Sequence, residues 1–162
     1  MAAYETHGES DEWYTPKYIF DALDARFDLD VASPPGGPRY VPCKKYYHKG
    51  DNGLGRPWHG FVWMNPPFGH QRQKREWLRR FFDHGSGIAL LPDRTSAPWF
   101  QEFAPLADAI CWVSPKVKFE RPDGTLGQSP GTGTVLMASG QQAVRALSRC
   151  GLGIVTPRAV AA

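Results

Sequence analysis

Short apolar runs recur along the chain and predict strands that lie inside a sheet. Residues 61–64, 87–91 and 109–113 are each almost wholly apolar, which is typical of strands covered on both faces. Residues 27–32 instead alternate apolar and acidic side chains. They end at a run of prolines and glycines, residues 33–38, that cannot continue a strand. We therefore expect a first strand at 27–32 and three buried strands after it.

Helical spacing of apolar residues separates these strands. Thr15 and Pro16 are typical of a helix start, with Thr15 as the capping residue, and the apolar face then runs through Ile19, Phe20, Leu23 and Phe27. A second helix is predicted over about 73–84, and a short third one follows residues 93–96. The second helix should bury its aromatic residues and expose a row of arginines, namely Arg72, Arg75 and Arg79.

The order of these elements predicts an α/β fold with a mostly parallel central sheet. Residues 116–120 and 134–138 are expected to form a late antiparallel strand pair that brackets a loop rich in glycine, proline and serine, residues 121–133. Residues 33–58 are predicted to be mainly loop.

Length and composition indicate one domain with an ordinary core. The chain has 162 residues, 41% of them hydrophobic and 22% charged. Residues 1–10 are polar and are predicted to be a flexible tail, and residues 11–162 a single domain. No apolar run is long enough to span a membrane, and the acidic N-terminus is unlike a signal peptide. The three cysteines have no spacing typical of a disulfide framework or a metal site. We expect a cytoplasmic location and no metal.

The formal net charge of +3 is only weakly basic, but the basic residues are clustered. One cluster contains Lys44, Lys45, His48 and Lys49, and a denser one contains Arg72, Lys74, Arg75, Arg79 and Arg80. Such clusters are commonly just solvated surface. The denser one directly follows the tetrapeptide Asn65-Pro66-Pro67-Phe68, which makes contact with a phosphate backbone the preferred interpretation.

Asn65-Pro66-Pro67-Phe68 is the segment that carries the clearest chemistry. It follows a predicted buried strand, and its prolines restrict the backbone and leave carbonyl oxygens as outward-facing acceptors. The Asn65 side-chain oxygen is a further acceptor, and Phe68 offers a ring face. This combination suits a planar, conjugated amine such as the exocyclic amino group of a nucleobase.

Ligands of parallel sheets bind at the carboxyl ends of the strands, and polar residues follow three candidate strands here, at 30–33, 51–54 and 65–68. In that order, with Trp13-Tyr14-Thr15-Pro16 in front, residues 11–139 resemble the phage-type, Dam-like DNA adenine-N6 methyltransferases. The resemblance implies a Rossmann-like fold that uses S-adenosylmethionine, and a phage or prophage origin in a bacterial host cell, with a role such as protection from restriction.

The resemblance also implies roles for individual residues. Thr15 and Pro16 would lie near the methionine part of the cofactor, Asp30 beneath it, and Asp51 at its adenine; the implied cofactor residues are Trp13, Thr15, Pro16, Asp30, Ala32, Ser33, Asp51 and Leu54. The catalytic residues would be Asn65, Pro66, Pro67 and Phe68. The residues that contact DNA would be Arg72, Lys74, Arg75, Arg79, Lys118 and Phe119, with Phe119 packing beside a flipped base.

One segment departs from the pattern of many methyltransferases. Ser33-Pro34-Pro35-Gly36-Gly37 stands where those enzymes have a Gly-x-Gly turn, and its prolines lack N–H donors.

Three alternatives to adenine methylation stay open: transfer to cytosine N4, transfer to a protein glutamine, or a DNA-binding module without activity. The chain has no room for a separate target-recognition domain, so recognition would come from the loops at 69–75 and 121–133.

Overall fold

A seven-stranded mixed sheet forms the centre of the computed structural model, which describes residues 13–67, 71–128 and 131–160. The strands are β1 (Phe27–Ser33), β2 (Cys43–His48), β3 (Val62–Met64), β4 (Gly87–Pro92), β5 (Ala109–Val113), β6 (Thr134–Ser139) and β7 (Gly153–Pro157). Their order in the sheet is β2-β1-β3-β4-β6-β5-β7. The first four are mutually parallel, whereas β6 is antiparallel to β4 and β5, and β7 is antiparallel to β5.

Helices cover both faces of this sheet. They are α1 (Lys17–Leu23), α2 (Gln71–His84), α3 (Pro98–Phe103) and α4 (Gln141–Arg149), with short 3₁₀ turns at Lys49–Asp51, Gly53–Gly55 and Ala104–Leu106. The apolar residues of α1 and α4 share one buried cluster with Trp63, and those of α2 and α3 share another with Met64. Adjacent residues of one strand therefore pack into different layers, as the alternation of side chains along a strand requires.

Most of the predicted elements are confirmed. The first strand, the three apolar strands and the second and third helices occur where the pattern placed them, and the second helix begins two residues earlier than predicted. The parallel part of the sheet is likewise confirmed. The predicted tail at residues 1–10 lies outside the described residues. Among the described residues, no helix is long and apolar enough to cross a membrane.

Other predictions were wrong. The segment at 33–58 contains β2, an edge strand whose exposed Lys44, Lys45 and Tyr46 give it no apolar run to detect. Residues 116–120 do not form a strand, since only Glu120 makes isolated bridges there, to Tyr14 and Leu126. The antiparallel partners of β6 are instead β4 and β5. Both α4 and β7 were not predicted.

The start of α1 also differs from the prediction. Pro16 occupies the capping position, and no side chain in the described part of the chain caps the helix, so Thr15 is not its capping residue. The helix ends at Leu23 because Asp24 takes a left-handed conformation with φ of 44°. Phe27 belongs to β1 rather than to the helix.

Candidate functional site

Three polar segments meet at the carboxyl ends of β1, β2 and β3, because these strands are parallel neighbours. We call this region, made of residues 30–33, 48–54 and 65–67, the site edge. Ser33 pairs with His48 after a shift in register that follows Asp30, and Asp30 pairs with Trp63, two residues before Asn65. A Cβ on Gly53 would lie 2.1 Å from the Val31 carbonyl oxygen, so only glycine allows the turn after β2 to approach β1 this closely.

Asp30 is the buried carboxyl group of the site edge, with 2% of its surface exposed. Burial raises its pKa from 3.8 to about 7, and the Ala32 N–H, which donates to Asp30 Oδ1 over 3.1 Å, acts in the opposite direction. A carboxyl group of this kind ionises readily once a cation lies beside it. Asp30 is therefore suited to hold a positively charged ligand group.

Asp51 lies in the turn that follows β2 and is partly committed to local structure. Its Oδ2 accepts a hydrogen bond from the His48 backbone N–H at 3.0 Å and lies 3.4 Å from His48 Nε2. The side chain stays 31% exposed, so it can accept a further hydrogen bond from a ligand. Leu54 is half-buried and packs against the cluster beneath α2.

Asn65 begins the loop after β3 and is half-buried. Its Nδ2 donates to the Thr15 hydroxyl oxygen over 3.3 Å, and Thr15 itself is buried, with 6% of its surface exposed. Pro66 is buried and Pro67 half-buried. Phe68 lies outside the described residues. The contact with Thr15 joins the N-terminal motif to the Asn-Pro-Pro segment.

A long-range clamp holds the N-terminal motif at the site edge. Tyr14 and Glu120 exchange two backbone hydrogen bonds of 2.9 Å. Arg39 lies 3.9 Å above the Tyr14 ring and donates to the Arg121 and Pro122 carbonyl oxygens at 3.0 and 2.6 Å. Sequence reasoning missed Arg39 and Glu120, since their partners are distant in the chain and no local pattern marks them.

Trp13 and the loop at 33–37 complete the surroundings of the clamp. The Trp13 ring packs closely against Gly127. A Cβ added at Gly127 would lie only 2.6 Å from that ring. Arg121 lies 5.4 Å from the centre of the same ring. In the proline-rich loop the Gly37 N–H donates to the Pro34 carbonyl oxygen at 2.8 Å, with φ of 86° at Gly37. Glycine is needed there to close the turn.

Three arginines of α2 have carboxylate partners. Arg75 Nε and Arg79 Nη2 lie 2.9 and 3.3 Å from the Glu102 carboxylate of α3, and Arg72 lies 3.7 Å from Glu76. All three guanidinium groups remain at least partly exposed. They therefore lie on the outer face of α2, as predicted, but share carboxylate partners.

Lys74 does not belong to that exposed face. It is buried, with its ammonium 4.7 Å from the centre of the Trp99 ring, and burial, with a smaller effect of Arg94, lowers its pKa. The resemblance implied Lys74 as a DNA contact together with the arginines, but its helical position turns its side chain toward α3 and away from their face. Lys118 is exposed, whereas Phe119 is half-buried against the cluster beneath α1.

A cavity of about 350 Å³ lies apart from the site edge and is lined by Trp58, Arg80, Asp83 and His84. His84 contacts the Gly60 carbonyl oxygen before β3, at the opposite end of that strand from Asn65.

Within the described ranges, no group of three or more His, Cys, Asp or Glu side chains is arranged to hold a metal ion.

The chain matches a known protein family over most of its length. A family model described as DNA N-6-adenine-methyltransferase (Dam) matches residues 4–150. No curated protein and no solved structure matches the chain.

Proposed function

Because the chain belongs to the DNA N-6-adenine-methyltransferase (Dam) family, we propose that it transfers a methyl group from S-adenosylmethionine to adenine N6 in DNA. One observation carries the proposal: the buried carboxyl of Asp30 lies in β1, the Asn65-Pro66-Pro67 segment follows the parallel neighbour β3, and both belong to the site edge. A loop that binds an amine and a carboxyl that binds a cation would then lie on neighbouring strands, as transfer between two bound molecules requires.

The residues of the site edge fit the methyl donor. S-adenosylmethionine would supply an electrophilic methyl group on a sulfonium, and it carries an ammonium group that suits a buried carboxyl such as Asp30. Asp51 keeps exposed acceptor surface for an adenine amino group. The cofactor set that we propose is the one that the family resemblance implies: Trp13, Thr15, Pro16, Asp30, Ala32, Ser33, Asp51 and Leu54.

The acceptor amine would be held by the loop after β3. Its nitrogen is a poor nucleophile, because the lone pair is delocalised into the ring. Hydrogen bonds from the two amino hydrogens to Asn65 Oδ1 and the Pro66 carbonyl oxygen would localise that lone pair and offset the charge that develops on nitrogen. The methylated nitrogen, left cationic when the methyl–sulfur bond breaks, would be acidic enough to pass its extra proton to water, so no strong general base is then needed. Stacking on Phe68 would contribute about 1–3 kcal/mol and hold the flipped base in line.

DNA would approach the site edge where exposed basic residues flank it. Arg72 lies in the first turn of α2, near the end of β3, and is highly exposed, and Lys118 is exposed on the loop that leads to the clamp. We propose both as phosphate contacts, with Phe119 beside the flipped base. Arg75 and Arg79 would join only where phosphate displaces Glu102. Residues 69–75 and 121–133 would read the sequence, without a separate recognition domain.

Mass analysis of nucleosides tests the proposal. Purified protein is incubated with unmethylated DNA and S-adenosylmethionine, and the digested DNA should contain N6-methyladenine. N4-methylcytosine would indicate the cytosine alternative, and methylglutamine in added protein the peptide alternative. Binding of DNA without binding of the cofactor, measured by calorimetry, would indicate a module that lacks activity.

Three further proposals follow from the family: the protein comes from a phage, it protects the phage DNA, and it is located in the cytoplasm.

A further inference from the structure

We propose that Thr15 is a positioning residue that fixes the orientation of the Asn65 side-chain amide. The inference rests on the proposed function and deepens it: Thr15 would act on the loop that holds the acceptor amine, in addition to its neighbourhood with the cofactor. The contact that carries it is the hydrogen bond from Asn65 Nδ2 to the Thr15 hydroxyl oxygen, at 3.3 Å.

The two ends of an asparagine amide have nearly the same shape but opposite hydrogen-bonding character. Only the oxygen can accept a hydrogen bond from the amine of a nucleobase, whereas the NH₂ group would face that amine donor to donor. When the NH₂ group is bound to Thr15, the oxygen points away from Thr15. Among the described residues, none donates a hydrogen bond to Asn65 Oδ1. Because a hydroxyl can both donate and accept, the Thr15 oxygen and the bound amine together select the orientation in which the acceptor end of the amide faces the substrate.

The Thr15 hydroxyl is not used for its expected local purpose. A threonine directly before a proline and a helix would ordinarily cap that helix, but Pro16 occupies the capping position and α1 has no side-chain cap. The hydroxyl instead reaches a residue fifty positions later in the chain. A buried hydroxyl needs a hydrogen-bond partner, and Asn65 provides one.

The backbone on both sides of Thr15 is held in place, so the hydroxyl is a fixed point. Tyr14 exchanges two backbone hydrogen bonds with Glu120, and its ring is covered by Arg39. On the other side, the Pro16 carbonyl oxygen accepts from the Ile19 N–H at 3.2 Å, in the first turn of α1. A group that orients a catalytic side chain must itself be positioned in this way.

Two variants of Thr15 test the proposal through the rate of methyl transfer. Thr15→Val removes the hydroxyl and keeps the shape of the side chain, whereas Thr15→Ser keeps the hydroxyl. At saturating S-adenosylmethionine, kcat should fall about 5- to 10-fold in Thr15→Val, the loss expected for one hydrogen bond, and Thr15→Ser should stay within about 2-fold of the parent. Because Thr15 also belongs to the proposed cofactor set, kcat is compared at saturation, where a change in the cofactor Kd, measured by calorimetry, does not affect the rate. Tm should stay close to the parent value in both variants.

Three results would overturn the proposal. An unchanged kcat in Thr15→Val is the first. The second is weaker cofactor binding in that variant with full kcat at saturation, which would make Thr15 a cofactor contact only. The third is an equal loss in Thr15→Ser, which would show that packing rather than the hydroxyl matters.

An NMR measurement separates this proposal from the proposed function. The side-chain NH₂ signals of Asn65, assigned by their loss in Asn65→Asp, should shift in Thr15→Val and return in Thr15→Ser. If the parent protein methylates no adenine but the signals behave in this way, the proposed function fails and the orientation by Thr15 stands. If the signals do not respond to Thr15→Val, the orientation by Thr15 fails, whatever the activity.

Discussion

Replacement of Asp30 by asparagine should make the protein more stable at neutral and alkaline pH. The carboxyl is buried, and its pKa is raised from 3.8 to about 7. Between these two values the folded chain holds a proton that the unfolded chain has already lost, so the free energy of unfolding decreases as the pH rises. A rise of this size corresponds to on the order of 4 kcal/mol above pH 7. Asp30→Asn carries no such charge and should escape the loss.

Urea unfolding followed by circular dichroism, at intervals from about pH 4 to pH 8, measures this effect. The difference in free energy of unfolding between Asp30→Asn and the parent should grow with pH and level off above about pH 7. Asp28→Asn is the matched control on the same strand. The hydrogen bonds that Asp28 accepts from Lys44 and the Phe61 N–H lower its pKa, so that variant should be less stable than the parent by a constant amount above about pH 5.

Asp30→Asn also tests whether the buried carboxyl binds the cofactor. If Asp30 holds a positive group of S-adenosylmethionine, the affinity of the parent should increase as the pH rises through about 7, and Asp30→Asn should lose about 10-fold or more in Kd together with that pH dependence. Calorimetry gives both values. A stability difference that does not change between pH 4 and pH 8 would refute the argument from burial, and unaltered cofactor affinity would refute the assigned role.

Two further predictions concern the packing at the site edge and the basic residues that are proposed to contact DNA. Gly53→Ala would place a methyl group against the Val31 carbonyl oxygen and should lower the free energy of unfolding by about 2–4 kcal/mol. Gly131→Ala, where a Cβ would meet nothing within 4 Å, should be neutral, and equal losses in urea unfolding would contradict the geometry. Arg72→Ala and Lys118→Ala should each reduce the slope of log K for DNA against log salt by about 1. Arg26→Ala, exposed before β1 at the opposite edge, should leave that slope unchanged, and a uniform effect of all three would point to non-specific attraction.

The sequence predicted the parallel half of the fold better than the rest. Buried strands such as β3 and β4 consist of apolar runs, and α2 shows a regular apolar face, so both kinds of element can be recognised from local pattern. The edge strand β2 has only one neighbour and carries lysines and a half-exposed tyrosine, which hides it among polar residues. The pairing of β6 with β4 depends on contacts between distant segments, which periodicity does not encode.

The site shows the same division. Polar residues at strand ends and the Asn-Pro-Pro segment are visible in the sequence, and the parallel sheet brings them to one edge. The partners that organise them are not visible. Thr15 fits the local pattern of a helix cap but bonds Asn65, and Arg39 reaches Tyr14 and the backbone near Glu120 across the chain. Lys74 belongs to a basic run in the sequence, yet the packing of α2 against α3 buries it.

The central claim, that the loop at Asn65 binds the adenine amine during methyl transfer, is tested most directly by nucleoside mass analysis of DNA treated with the parent protein and with Asn65→Ala. The account predicts N6-methyladenine with the parent. It predicts a loss of about 100-fold or more with Asn65→Ala, as when one preorganised group of a catalytic site is removed, while the cofactor Kd stays nearly the same. Equal amounts of N6-methyladenine from both proteins would contradict the account.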